Sequence, residues 1–236
     1  MAATGGLGTA AGAGAGMFAS SDPYVHIVQA KAARVLLTKL RDKESDGRTF
    51  AQYVDRACHI LAEEGLAQDH LVDVREIETP CGTCNGFFTL DYTSLCAVSI
   101  VRSGDLVLEA LRRLEPGIPV GKILIQRDEE DPEKRAKLFY DKLPPNIQAL
   151  KVLLVDPMLA TAGSALKAIE VLESRGVPAE NITFLNMISC PEGIAALRER
   201  YPTMHLVTLA IDEKLNENKY IVPGIGDCGD RAYQTL

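Results

Sequence analysis

The chain has 236 residues and a net charge of -7, with 25 Lys and Arg against 32 Asp and Glu, a length that allows one large α/β domain or a core with a smaller appendage. The acidic balance argues against nonspecific nucleic-acid binding and against attachment to an anionic membrane, and no apolar run approaches the roughly 20 residues that span a bilayer. Six scattered cysteines and the lack of a secretory leader pattern predict a cytoplasmic protein that keeps its thiols reduced.

The beginning of the chain is almost wholly Gly and Ala. Such a stretch has no apolar face to bury, so residues 1–20 are predicted to be a disordered tail. The remaining residues, 21–236, are predicted to form a single domain.

Two helices are predicted next. Ser21-Asp22-Pro23 is typical of a helix start, and this helix is expected to run to about Arg41. Its predicted apolar face comprises Val25, Val28, Ala32, Val35 and Leu36. The second helix is predicted from about Thr49 to Glu64, with Gly65 as its stop.

A β-hairpin is predicted after the helices. Residues 71–79 and 87–91 alternate as strands do, and Pro80-Cys81-Gly82 interrupts the pattern as a turn would. Cys81 and Cys84 form a single CxxC. Zinc would need a second pair or suitably spaced histidines, so a hairpin turn with two thiols is favoured and no metal ligand is predicted.

From residue 97 onward, strands alternate with helices. Strands are predicted at 97–101, 122–126, 138–140, 152–155, 182–188 and 205–211, and helices at 105–114, 165–175 and 191–200. This alternation predicts an α/β fold, a parallel sheet with helices on both faces and ligands at the carboxyl ends of the strands. The strand tips expected at that edge are Arg102, Arg127, Asp156 and Asp212.

The segment Lys151–Ser164 carries the main functional signal. A buried strand ends on Asp156, small residues follow, and a helix begins, so unpaired amides at the helix start can cradle a phosphate group. An acid that merely caps a helix is the structural alternative. No lysine of a Walker loop is present. Together, the acid and the loop predict a site for a phosphorylated sugar.

Two arginines are candidate ligands for a pyrophosphate beside this loop. Arg102, followed by Ser103-Gly104, is on its own an ordinary surface arginine, but beside a phosphate loop its guanidinium suits a pyrophosphate, and the same reasoning applies to Arg127. The charged residues 128–135 are typical of a solvated loop, with a mobile flap as the functional alternative.

The tail from Asn218 to Tyr233 is too rich in glycine for a regular element and is predicted to be a loop that covers a pocket. Asp227 within it is either a turn aspartate or a carboxylate beside a bound heterocycle. The glycines would let backbone groups approach such a ring closely.

Three segments taken together resemble uracil phosphoribosyltransferases: GKILIQRDEE at Gly121–Glu130, LLVDPMLATAGSA at Leu153–Ala165 and NKYIVPGIGDCGDR at Asn218–Arg231. The resemblance covers nearly everything after the Gly/Ala tail. It implies a type I phosphoribosyltransferase fold, with a parallel-sheet core and a smaller hood from residues 71–92, residues 212–236 or both.

The resemblance also implies a reaction, in which uracil and 5-phosphoribosyl 1-diphosphate give UMP and diphosphate in pyrimidine salvage. Mg²⁺ would be carried mainly by the substrate diphosphate. Members usually form homodimers or tetramers, so a homo-oligomer is expected. GTP regulates some members, which makes it a candidate allosteric ligand that the sequence alone does not decide.

Site residues follow by position from the resemblance. Those matched to the phosphoribosyl donor are Arg102, Arg127, Asp156, Pro157, Met158, Leu159, Ala160, Thr161, Ala162, Gly163, Ser164 and Asp227. Those matched to uracil are Ile221, Gly226, Asp227 and Cys228. Arg102 and Arg127 are expected to stabilise the leaving diphosphate and Asp227 to favour deprotonation of uracil, which makes these three the catalytic candidates.

Two positions depart from many relatives. Ala162 stands where Gly is common, which removes easy access to positive φ, and Cys228 stands where an aromatic residue or alanine is common. Neither change removes a charged group, so activity is expected. The alternatives are a noncatalytic sensor of the donor or of UMP that acts through a partner, and a transferase for another nucleobase.

Overall fold

The computed structural model describes residues 22–127 and 136–235, without the side chain of Arg127. The predicted tail of residues 1–20 and the predicted flap of residues 128–135 therefore lie outside the described residues.

One sheet of eight strands forms the centre of the fold. The strands in the described residues are β1 (Val25–Ile27), β2 (Val72–Thr79), β3 (Gly82–Thr89), β4 (Leu95–Val101), β5 (Val120–Arg127), β6 (Ala136–Lys142), β7 (Lys151–Val155), β8 (Met158–Leu159), β9 (Ile182–Ser189), β10 (His205–Ile211), β11 (Lys214–Leu215) and β12 (Ile221–Val222). The order across the sheet is β1-β10-β9-β7-β4-β5-β6, and β8 also pairs with β9. All neighbours are parallel except β5 and β6.

Helices cover both faces of the sheet. They are α1 (Lys31–Arg41), α2 (Gly47–Leu66), α3 (Asp105–Leu114), α4 (Gly163–Ser174), α5 (Pro191–Arg200) and α6 (Cys228–Tyr233). Strand β7 shows why two layers are needed, because Leu153 and Val155 pack into the core with α1, α2 and α3, whereas Val152 and Leu154 pack into the core with α4 and α5. A strand buried on both faces is a continuous apolar run, as this sequence predicts.

The predicted α/β fold with a mainly parallel sheet is confirmed, and so are the predicted elements from residue 95 to Ile211 within small shifts of their ends. The hairpin is confirmed as β2 and β3, which pair only with each other. Strands β11 and β12 form a second small antiparallel pair outside the main sheet.

The predicted first helix is wrong at its start. Residues 25–27 form β1 at the sheet edge beside β10, and the helix begins only at Lys31. An open sheet edge offers Val25 backbone partners that an isolated helical pattern does not reveal. The buried face of α1 also differs from the prediction, because Val35 is 65% exposed and the buried residues are Ala33, Leu36, Leu37 and Leu40.

Two glycine interpretations also need correction. Gly65 does not stop α2, which continues to Leu66. It lies where a Cβ would approach Leu185 of β9 to 2.7 Å, so close packing of the helix on the sheet explains the glycine. The second interpretation concerns the glycine-rich segment Asn218–Tyr233, which was predicted to lack regular elements. It contains β12 and α6.

Candidate active site

A cleft of about 480 Å³ opens at the carboxyl ends of the central strands. Residues 156–165, which follow β7, form one wall, and residues 219–229 form the other. The residues that line it are Ser103, Ala136, Asp156, Met158, Leu159, Ala160, Thr161, Ala162, Gly163, Ser164, Ala165, Lys219, Tyr220, Ile221, Gly226, Asp227, Cys228 and Gly229.

The loop between β7 and α4 is held from behind by neighbouring elements. The carbonyl oxygen of Pro157 accepts hydrogen bonds from the backbone N–H groups of Met187 and Ile188, at 2.9 and 3.1 Å. Helix α5 packs so closely that a Cβ at Gly193 would collide with the carbonyl oxygen of Ala160. The loop is therefore fixed by backbone contacts on the side that faces away from the cleft.

Ala162 adopts a left-handed conformation, which an alanine side chain disfavours. It precedes α4 with φ 66° and ψ -1°, in the left-handed region, and it is 4% exposed. No side chain caps the first amides of α4. The loop thus presents a helix start with uncapped N–H groups to the cleft, as an anion site requires.

Asp156 is the partly buried carboxylate at the bottom of the cleft. Its pKa is raised to about 7, mainly by burial and to a smaller extent by the charge of Asp227, although a hydrogen bond from Ser103 and one from the backbone of Met158 act in the opposite direction. Ser103 Oγ donates to Asp156 Oδ1 at 3.0 Å. The loop after β4 and the loop after β7 therefore meet at this carboxylate.

Arg102 lies at the same edge, but its guanidinium points to the end of the chain. Its Nη2 donates to Asp230 Oδ1 at 2.5 Å and its Nη1 donates to Thr235 Oγ1 at 3.1 Å. The guanidinium carbon also lies 5.4 Å from the ring centroid of Tyr233. Arg102 is not among the residues that line the cleft, although its neighbour Ser103 is.

The turn after Arg102 is supported from below. A Cβ at Gly104 would lie 2.6 Å from the carbonyl oxygen of Ile100, so only glycine fits this close approach. Asp105 Oδ1 accepts hydrogen bonds from Ser99 Oγ at 2.6 Å and from Lys122 Nζ at 2.7 Å. These contacts fix the start of α3 and with it the loop that carries Arg102.

The loop between β12 and α6 has a defined backbone conformation. The Val222–Pro223 peptide bond is cis, and Gly224 and Gly226 have φ values of 61° and 72°. Asp227 caps α6 by accepting a hydrogen bond from the backbone N–H of Asp230 at 2.9 Å. Cys228 is buried, and burial raises the pKa of its thiol well above the ordinary value.

One arginine from α1 and one from α6 hold this loop in place. Arg41 binds Asp212 and the carbonyl oxygen of Gly224. Arg231 Nη1 donates to the carbonyl oxygen of Ile225 at 2.7 Å, and its guanidinium carbon lies 4.1 Å from the ring centroid of Phe50. The conformation of the tail therefore depends on α1 and α2, which are distant in sequence.

Most of the predicted site residues come together. Asp156, Met158–Ser164, Ile221, Gly226, Asp227 and Cys228 all line the cleft, whereas Pro157 is buried behind it. Arg127 ends β5 at the same edge of the sheet, and its side chain lies outside the described residues. Asp212 also lies at the end of its strand, but it is 4% exposed and paired with Arg41.

Sequence reasoning missed six lining residues, namely Ser103, Ala136, Ala165, Lys219, Tyr220 and Gly229. Four of them adjoin predicted site residues in sequence, so adjacency was a usable signal. Ala136 was not recognisable, because β6 reaches the cleft only through its antiparallel pairing with β5.

The described residues contain no group of three or more His, Cys, Asp or Glu side chains that could hold a metal ion. Among the helices in this part of the chain, none is long and apolar enough to cross a membrane.

The fold and the position of the cleft define a class of protein. The adenine phosphoribosyltransferase from Trypanosoma brucei superimposes with a TM-score of 0.52 at 11% identity, over 82% of this chain and 86% of that one. The AQ2163 protein from Aquifex aeolicus superimposes with a TM-score of 0.75 at 26% identity, over 89% of this chain and 97% of that one. The fold is that of type I phosphoribosyltransferases.

Sequence comparisons narrow this class. The family model described as uracil phosphoribosyltransferase matches residues 27–235. Curated uracil phosphoribosyltransferases from Lachancea kluyveri and Saccharomyces cerevisiae are each 44% identical over 91% of this chain and 99% of their own length. The one from Dictyostelium discoideum is 45% identical over 85% of this chain and 91% of its own length. The chain belongs to the uracil phosphoribosyltransferase family.

Proposed function

We propose that this protein transfers the phosphoribosyl group of 5-phosphoribosyl 1-diphosphate to N1 of uracil, which yields UMP and diphosphate in pyrimidine salvage. The observation that carries the proposal is the cleft in which the phosphate loop and the tail loop face each other across Asp156 and Asp227. The family to which the chain belongs supports the same reaction.

The phosphate loop binds the ribose 5-phosphate end of the donor. The amides of residues 160–164 surround the phosphate, because α4 begins there without a capping side chain. Asp156 accepts hydrogen bonds from the ribose hydroxyls. Since its pKa is about 7, the carboxylate is partly protonated at neutral pH until a donor hydroxyl hydrogen-bonds to its ionised form.

In the reaction, the bond between the anomeric carbon and the diphosphate oxygen breaks, a bond from uracil N1 to that carbon forms, and uracil loses its N1 proton. Negative charge grows on the departing diphosphate, so stabilising that charge is the main catalytic task. Arg102 and Arg127 supply positive charge at this edge of the sheet.

The tail loop presents uracil to the donor. Its residues Ile221, Gly226 and Cys228 line the cleft, and a left-handed glycine leaves its backbone groups open to a flat ring. Asp227 lies near enough to Asp156 to raise that residue's pKa. Its carboxylate is exposed and in position to favour loss of the N1 proton.

Mg²⁺ fits this site as an ion that binds together with the donor, held mainly by the donor's diphosphate and not by protein ligands alone. The cleft offers two carboxylates, Asp156 and Asp227, which is too few for an all-protein site but suits a cation that retains waters and substrate oxygens. When bound to the diphosphate, the ion neutralises part of its charge.

The direct test is an assay of UMP formation with uracil, donor and Mg²⁺. Asp156→Asn and Arg102→Ala should lower kcat/KM at least about a hundredfold in folded protein, since each removes a charge that acts on the donor. Glu170→Gln on the outer surface of α4 is the matched control and should retain activity. Wild-type protein that forms no UMP contradicts the proposal.

A panel of other nucleobases in the same assay separates uracil transfer from transfer to another base. Thermal stabilisation by donor or UMP without any product would instead support a noncatalytic sensor.

We further propose a homodimer or tetramer as the working assembly. The hairpin β2–β3 exposes apolar side chains, with Phe87 76% and Val74 56% exposed, and β6 exposes Phe139 and Tyr140. Such surfaces suit a second copy of the chain. Light scattering during size-exclusion chromatography tests this. An allosteric site for GTP, a cytoplasmic location and a hood formed by residues 71–92, residues 212–236 or both stay predictions.

A further inference from the structure

Arg102, the arginine proposed to contact the diphosphate, forms an ion pair with Asp230 of the same chain. Arg102 directly follows β4, and its guanidinium donates hydrogen bonds to Asp230 and Thr235. Thr235 Oγ1 in turn donates to Asp230 Oδ1 at 2.7 Å, and the hydroxyl of Tyr233 donates to the carbonyl oxygen of Arg102 at 3.4 Å. The arginine is thus held on its side-chain and backbone groups.

This contact lies beside the cleft, not remote from it. A Cβ at Gly229 would lie 3.5 Å from Arg102 Nη2, from Asp227 Oδ1 and from Ser103 Cβ. Gly229, Asp227 and Ser103 all line the cleft. The guanidinium therefore lies one small displacement from the space in which the donor's diphosphate would bind.

The partner of Arg102 also belongs to the element that follows the uracil loop. Asp230 lies in α6, whose first turn is capped by Asp227. The partner of Arg102 is therefore joined by one hydrogen bond to Asp227, which lines the cleft.

We propose that Asp230 is a positioning residue that competes with the donor's diphosphate for Arg102, so that donor binding exchanges an internal carboxylate for the diphosphate and releases α6. The inference rests on the proposed function, because it takes the diphosphate as the external ligand of Arg102. A carboxylate and a diphosphate are alternative anionic partners for one guanidinium fork. The exchange is possible because the ion pair is open to solvent, with side-chain exposures of 49% for Arg102 and 33% for Asp230.

Binding of inorganic diphosphate with Mg²⁺, measured by calorimetry on the full chain, tests the exchange. Asp230→Asn should bind diphosphate about fivefold more tightly than wild type, which is what loss of a solvent-exposed ion pair can yield. The difference in diphosphate affinity between Asp230→Asn and wild type should disappear at about 0.5 M salt, because salt screens exposed charges. Thr235→Val should shift binding in the same direction by a smaller factor.

Two further variants separate competition from a general change of charge or structure. Glu217→Gln removes one negative charge from an exposed residue just before the segment Asn218–Tyr233 and should leave diphosphate binding within about twofold of wild type. In an Arg102→Ala background, Asp230→Asn should have no further effect, since the arginine for which both anions compete is gone.

Unchanged or weaker diphosphate binding by Asp230→Asn overturns the inference, because Asp230 would then be structural or would aid binding. If that variant does not fold, Thr235→Val decides by the same criterion. The UMP assay with wild-type protein tests the proposed function separately. A wild-type protein that forms UMP, but whose variants bind diphosphate unchanged, refutes only the competition.

Discussion

Arg41 at the end of α1 and Asp212 after β10 form a two-point ion pair across 171 residues of sequence. Arg41 Nη2 donates to Asp212 Oδ1 at 2.5 Å and Nη1 donates to Oδ2 at 2.8 Å. Both groups also bind Gly224, because its N–H donates to Asp212 Oδ2 at 2.8 Å and its carbonyl oxygen accepts from Arg41 Nη1 at 3.0 Å. The four bonds set the path of the loop that leads to Asp227.

We expect Asp212→Ala to lower the free energy of unfolding by about 2–3 kcal/mol, because it leaves a partly buried guanidinium and the Gly224 N–H without their acceptor. Urea denaturation measures this. Glu170→Ala, which removes an exposed ion pair with Lys167, should cost less than about 1 kcal/mol. In protein that stays folded, Asp212→Asn should raise the KM for uracil more than the KM for the donor. Equal costs for the two alanine variants would show that Asp212 does not anchor the loop.

Ala162→Gly should leave the free energy of unfolding within about 1 kcal/mol of wild type. Relief of the left-handed conformation, worth roughly 1–2 kcal/mol, offsets the loss of a buried methyl group, worth about 0.8 kcal/mol, together with the greater freedom of glycine in the unfolded chain. Ala168→Gly in the middle of α4 is the matched control. It loses a buried methyl with no strain to relieve and should cost about 1.5–2 kcal/mol. Similar losses for both variants would contradict strain at Ala162.

Local patterns were sufficient for the central strands of the sheet and for the loop between β7 and α4. The run Val152–Val155 is apolar at every position, which favours a strand buried on both faces, and the acid and small residues that follow it belong at the carboxyl edge. The same reasoning located Asp156 and the loop up to Ser164 in the cleft.

What the sequence could not show are contacts between segments that are far apart in the chain. Val25 pairs with Leu206 at the sheet edge, a partnership that overrides the local helical pattern. Gly65 is explained by Leu185 on β9, and the partner of Arg102 is Asp230, 128 residues later in the chain. Each depends on which surfaces meet after folding, and one-dimensional periodicity carries no such information.

Asp156 should make the ligand-free protein less stable as pH rises. Its folded pKa of about 7 lies above the ordinary value of 3.8, so the folded state binds more protons than the unfolded state between these pH values. Stability from this group is fully present below about pH 4 and is lost as pH rises through 7, at no more than about 1.4 kcal/mol per pH unit.

Asp156→Asn removes this dependence. The difference in melting temperature, wild type minus Asp156→Asn, should therefore fall from pH 4 to pH 7 and stay constant above it. Because Asp227 contributes to the shift, Asp227→Asn should move the window to lower pH. A difference that does not vary with pH would mean that Asp156 titrates normally.

The stacked rings of His70 and His205 should give the opposite dependence. Their centroids lie 3.7 Å apart, and His70 Nε2 lies 2.8 Å from Thr183 Oγ1. The pKa of His70 is lowered to about 4, mainly by burial and to a smaller extent by His205 and Lys151, against a small opposing effect of Asp69. Burial and Lys151 also lower the pKa of His205.

Because the folded state keeps His70 neutral where the unfolded chain protonates it, its contribution to stability is present above about pH 6.5 and is lost as pH falls toward 4. His70→Phe preserves the stacked ring, removes the titration and loses the hydrogen bond to Thr183, which lowers stability by the same amount at every pH. The melting-temperature difference, wild type minus His70→Phe, should therefore rise from pH 4 to pH 6.5, whereas the difference for Asp156→Asn falls over that interval. Slopes of the same sign for the two variants would contradict one of these assignments, and a flat difference for His70→Phe would show that the stacked pair does not control acid stability.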